Sequence, residues 1–175
     1  MPQIDLHGLS NLDIPLSSVV KTRVYKQSFE DGVSDLTTNN CVQEVQDVEV
    51  YSGRYALKVV VPAGQTGYVE TPARPVSPKQ LITFSLIHKE DANIVDIKLQ
   101  VVWRRSSDGI IAIDEFTLDL SSTWAIVSRI IVAPEDAVSM AIRIQATASS
   151  TEAVSYTHLR AHETSLHLVC RLLLE

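Results

Sequence analysis

Downstream of Val24 the chain alternates apolar and polar positions in short stretches, most cleanly over residues 96–104. Ile97, Leu99, Val101 and Trp103 fall on one side there, and Asp96, Lys98, Gln100 and Arg104 on the other. Successive side chains of an extended chain point to opposite faces, so strict period two predicts a strand with one buried face. The same reading predicts strands over residues 55–61, 81–89, 110–120, 124–132 and 138–147. In the last of these Val138, Met140, Ile142 and Ile144 are expected to face inward, and Ser139, Arg143 and Gln145 outward. Within 110–120 the parity changes between Ile111 and Ile113 and the later Phe116, Leu118 and Leu120. A bulge near Asp114 and Glu115 would reconcile the two registers. Turn formers separate the stretches: Pro62, Ala63 and Gly64, then Ser106 to Gly109, then Ala133 to Asp136. No segment has helical period and length. The pattern therefore predicts an all-β domain, an antiparallel sandwich or barrel spanning residues 24–153. Residues 1–23 mix short apolar groups with turn residues and predict an extended leader or linker.

Composition narrows the partners. The 175-residue chain carries a formal net charge of −6 and has no basic cluster, which argues against nucleic acid and anionic membrane as main partners. No apolar run approaches the roughly 20 residues a membrane helix needs. The first residues lack the basic and then apolar layout of a secretory signal. The compartment is left unassigned.

Residues 154–175 resemble a translated sequencing adapter. Read in one frame, a transposon-type adapter encodes residues 154–164 in order. A variable index would then supply Ser165 and Leu166, and a flow-cell primer encodes residues 168–174. The resemblance implies a non-native tail, to be set aside before the fold is inferred, and a natural chain that departs from this one near Ala153. The tail holds two Arg and two Glu, so the net charge is the same without it. It also holds His158, His162, His167 and Cys170, donors that would otherwise suggest zinc. With Cys170 set aside, Cys41 has no disulfide partner in the domain and reads as an ordinary strand or loop residue.

Several segments, in order, resemble a jelly-roll domain of the galactose-binding-like, carbohydrate-binding-module kind. They are Phe29-Glu30-Asp31-Gly32, the run from Ser52 to Val59, Val101 to Trp103 with Asp108-Gly109, Ser122-Thr123-Trp124, and Ala133 to Ala137. The resemblance covers roughly residues 25–146. It implies a sandwich closed by a final strand beside the first. That strand would begin where the adapter-like tail begins, so it is expected to be missing, which would expose a backbone edge. It also implies a structural calcium, with Glu30 as carboxylate ligand and Gly53 as carbonyl ligand.

Candidate chemistry is sparse. No nucleophile elbow, phosphate loop or Cys/His dyad motif occurs. The acids Asp114, Glu115 and Asp119 could suggest a glycosidase pair only at a set separation. Tyr51 and Tyr68, in or beside loops, are candidates for stacking on a sugar ring. Lys98, Gln100, Arg143 and Gln145, on outward faces, offer amide and cationic donors suited to ring hydroxyls. Trp103 and Trp124 are read as core. The resulting expectation is a non-catalytic, carbohydrate-binding-like accessory module of a larger surface, secreted or phage-tail protein. The alternatives are a structural assembly module without a sugar ligand, and a fragment of a glycoside hydrolase.

Overall fold

A computed structural model of the chain describes residues 24–27, 35–105 and 109–163. The proposed leader, Glu30, most of the Ser106 to Gly109 turn, His167 and Cys170 lie outside them. The described residues form twelve strands and no helix. They are β1 Val24–Gln27, β2 Thr37–Asn39, β3 Val42–Gln46, β4 Ala56–Val61, β5 Thr66–Glu70 and β6 Arg74–Pro75, followed by β7 Leu81–Glu90, β8 Ile94–Arg104, β9 Ile110–Thr117, β10 Ala125–Val132, β11 Ser139–Ala148 and β12 Ala153–Glu163.

Two antiparallel sheets result. The first runs β10-β7-β12-β4-β3, with β1 added to β12 beyond the end of β4. The second runs β2-β5-β11-β8-β9, with β6 added to β11 beyond the end of β5. Thr71 fills the gap between β5 and β6: its N–H donates to the Ile142 carbonyl and its Oγ1 accepts the Ile142 N–H. The core lies between the sheets. Leu57, Val59 and Val61 of β4 and Ile82, Phe84 and Leu86 of β7 enter from one side. Ile97, Leu99, Val101 and Trp103 of β8 and Ile142, Ile144 and Ala146 of β11 enter from the other. Each fully buried aliphatic or aromatic side chain contributes about 1.5–3 kcal/mol relative to exposure. Trp103 is fully buried, as expected, and its indole N–H donates to Asp114 Oδ2 at 2.8 Å.

The structure departs from the pattern in four places. The bulge is not at Asp114 and Glu115. Trp103 faces Ala112 and Arg104 faces Ile110, so Ile111 is the extra residue. Pairing is continuous from there to Thr117, with Asp114 and Phe116 sharing the inner parity and Ile113 half exposed outside. Val138 precedes β11 and is exposed, whereas Met140 begins the inward series. Strands β2, β3, β5 and β6 were not predicted, being short and polar or interrupted by Gly67. That glycine is required: a Cβ there would lie 2.5 Å from the Asn40 carbonyl oxygen, because the β2–β3 turn sits over it.

The fourth departure concerns the final strand, whose place is filled. Ala153–Glu163 forms β12, between β7 on one side and β4 and β1 on the other. No free edge is left there, contrary to expectation. The reason is that ladder bonds are made by backbone, so an extended segment fills the place through its N–H and C=O groups. Ala153, Ser155 and Thr157 fall inward and are buried. His158 and His162 thus lie in a strand and not in the helix their spacing would suit.

Candidate functional site

The outer face of the second sheet gathers polar side chains that lie far apart in sequence. Antiparallel registry places Glu70 opposite Arg143, Arg143 opposite Gln100, and Gln100 opposite Glu115, across β5, β11, β8 and β9. Tyr68 and Lys98 flank Gln145 in the adjacent row. Facing residues on neighbouring strands are about 4.5–5.5 Å apart at Cβ, close enough for long side chains to meet.

They form one ladder. Glu70 is nearly buried, and both its oxygens accept hydrogen bonds from guanidinium groups: Arg104 Nη2 at 2.7 Å, and Arg143 Nε at 2.8 Å and Nη2 at 2.6 Å. Arg143 Nη1 reaches Gln100 Oε1 at 3.4 Å, and Gln100 Nε2 donates to Glu115 Oε2 at 2.7 Å. Lys98 Nζ donates to the other oxygen of Glu115 at 2.8 Å. The Arg143 guanidinium also covers the Tyr68 ring, 4.1 Å from its centroid, a cation–π contact that occupies one face of the tyrosine. Val102 and Ala141, facing each other on the same surface, are buried between these long side chains.

Pairing tunes the exposed end of the ladder. The hydrogen bond from Lys98, and then that from Gln100, hold the Glu115 carboxyl below its ordinary 4.5. The same bond to Glu115, and then the carboxylate's charge, hold the Lys98 ammonium above 10.5. A lowered carboxyl contributes stability above its ordinary value and loses it as pH falls through the folded one. A raised ammonium contributes below its ordinary value and loses it as pH rises through the folded one. The link is therefore constant across neutral pH. A carbon-detected NMR titration is expected to place the Glu115 midpoint below 4.5, and Lys98→Met to move it upward. A wild-type midpoint at or above 4.5 would contradict the geometry.

The structure thus brings together Tyr68, Lys98, Gln100, Arg143 and Gln145. It separates Tyr51 from them. Tyr51 sits in the β3–β4 loop, stacked edge-on against Trp124 with ring centroids 5.9 Å apart. Trp124 precedes β10 of the first sheet and is half-buried there, not in the core. Glu70, Arg104 and Glu115 join the site without having been chosen for it. The outward parity of Arg104 was visible, whereas Glu70 lay in a strand that was not predicted.

The acids weighed for catalysis are divided. Asp114 points inward to Trp103, while Glu115 points outward to Lys98 and Gln100, so these two cannot flank one substrate; Asp119 lies exposed beyond the end of β9. For calcium, Gly53 lies in a loop with a positive φ of 80°, and Glu30 is outside the described residues. Among the described residues no group of three or more His, Cys, Asp or Glu is placed to hold a metal ion, so no step is assigned to one. Cys41 is a free thiol among them; its Sγ–H reaches the Tyr68 carbonyl at 3.1 Å, and burial pushes its pKa up. No helix in the described residues is long and apolar enough to cross a membrane.

Two stacked antiparallel sheets with this connectivity define a jelly-roll β-sandwich, and the fold is that of carbohydrate-binding modules. No protein-family model and no curated protein matches the chain. Solved structures do. The CBM22-1 xylan-binding domain of Paenibacillus barcinonensis Xyn10C superposes with a TM-score of 0.63 at 15% identity, over 81% of this chain and 94% of that one. The C-terminal family 22 carbohydrate-binding module of Clostridium thermocellum Xyn10B gives 0.56 at 16% identity, over 81% and 92%. The enzymatically active domain of bacteriophage CBA120 tailspike protein 4 gives 0.64 at 11% identity, over 77% of this chain. This chain spans a fifth of that tailspike domain.

Proposed function

We propose that this chain is a non-catalytic carbohydrate-binding module, an accessory part of a larger surface, secreted or phage-tail protein. Its ligand is a neutral glycan lying across the outer face of the second sheet. The observation that carries this reading is the ladder from Arg104 to Lys98, a row of oriented donors and acceptors crossing four strands. Its charges are compensated from within, which favours hydroxyl-bearing rings over polyanions. Hydroxyls bind by paired directional hydrogen bonds, and such a row offers both partners. With one face of Tyr68 covered by Arg143, hydrogen bonding outweighs stacking. The Glu115 carboxyl, held below its ordinary value by the hydrogen bonds from Lys98 and Gln100, is unsuited to protonate a leaving group.

Calorimetric titration of the full chain with xylo-, gluco-, manno- and galacto-oligosaccharides tests the proposal. At least one series is expected to bind, and Gln145→Ala, at the centre of the row beside the ladder, to weaken it about tenfold, the worth of one hydrogen bond. Silence toward every neutral series at millimolar ligand would remove the reading.

A further inference from the structure

His88 and Glu90 lie on the inner face of β7, 1% and 2% exposed, inside the sandwich. His88 Nδ1 is 2.7 Å from Glu90 Oε1, and the Ser121 N–H donates to Glu90 Oε2 at 2.9 Å. Nδ1 is engaged with the Glu90 carboxyl, and the other ring nitrogen, Nε2, faces away from it. That atom is buried without a hydrogen-bond partner, and so are Ser155 Oγ and Thr157 Oγ1. The three are neighbours by registry, since Thr157 faces His88 and Ser155 faces Glu90 across the β7–β12 ladder. Native interiors satisfy nearly all buried polar side-chain atoms, because each orphan forfeits its bonds to water without replacement. Here three orphans fall at adjacent positions of the β7–β12 ladder. Elsewhere β7 fits its surroundings: Phe84 packs on Phe116 and Ser85 bonds Ser128.

We propose that residues 154–163 are not the strand around which this core was selected. The native closing strand places opposite His88 a side chain that hydrogen-bonds Nε2, such as an amide. The unsatisfied atoms that Ser155 and Thr157 bring into the core carry the proposal, and the resemblance of residues 154–175 to a translated adapter agrees with it. The backbone of the segment closes the sheet, and its Ser155 and Thr157 hydroxyls leave the interior unsatisfied.

Two measurements decide this. Thr157→Val combined with Ser155→Ala in the full chain removes both orphan hydroxyls at nearly constant shape. Thermal unfolding is expected to shift upward by about 3 °C or more. An unchanged or lower Tm means the hydroxyls are satisfied and overturns the proposal. Amplification across the locus from source DNA is expected to give a different sequence after Ala153, with a side chain able to hydrogen-bond Nε2 at the position facing His88. Recovery of residues 154–163 as they stand, or of apolar residues throughout the inward positions, overturns it independently of any folding measurement.

Discussion

Glu70→Ala is expected to lower the unfolding free energy by about 2–3 kcal/mol and to abolish the proposed glycan binding. Glu70 ties β5 to β11 and β8 through both oxygens, and its Arg143 partner lies 73 residues away in sequence. Its removal takes from Arg143 two contacts of 2.6 and 2.8 Å, leaving the longer one to Gln100 at 3.4 Å. The cost comes mainly from a cation kept in a site whose counter-ion is gone, which exceeds what the pair contributes when intact. It falls below the fully buried case because the Arg104 and Arg143 side chains retain 20% and 14% exposure. Glu70→Gln preserves shape and one acceptor oxygen, so it is expected to lose about half as much. Urea denaturation orders the three proteins, and calorimetry reports the binding loss. Equal stability of Glu70→Ala and wild type would show that the ladder is an ornament of the surface.

Most of the fold was legible, and the reasons differ by element. Strands β8 and β11 announce themselves because one face is core and the other polar, so burial writes period two into the sequence. Strand β5 hides, since Gly67 stands at an inward position where the β2–β3 turn excludes any side chain. The bulge was displaced by three residues or more because parity records that a residue was inserted without recording where. Ile111 as the extra residue and a break at Asp114 account for the same apolar positions. For the site, outward parity identified Lys98, Gln100, Arg143 and Gln145. What joins them to Glu70, Arg104 and Glu115 is strand order within the sheet, which no local pattern carries. Tyr51 was grouped with them by residue type, and only the β3–β4 loop's place beside the first sheet separates it.

Truncation after Ala153 is expected to abolish cooperative folding, although the segment removed resembles foreign sequence. Strand β12 is interior to its sheet. It pairs with β7 from Ser155 to Glu163, with β4 from Ala153 to Thr157, and with β1 from Leu159 to His162. Its loss would open β7 and β4 along their lengths and uncover Leu57, Phe84 and Leu86, which are at most 1% exposed in the intact chain. Unpaired edges beside apolar surface recruit other chains. The lost ladder and burial together approach the whole stability of a small domain, about 5–15 kcal/mol. Circular dichroism should show no sigmoidal melt, and size-exclusion chromatography should show aggregate. A monomeric 1–153 chain melting with the full chain would mean β12 contributes nothing. The contrast with the double substitution at Ser155 and Thr157 is informative, because that change should stabilise while deletion destroys. If that contrast is observed, the sheet requires a backbone in this position and tolerates side chains it was not selected for. A strand can therefore be indispensable to the fold and still mismatched to the core.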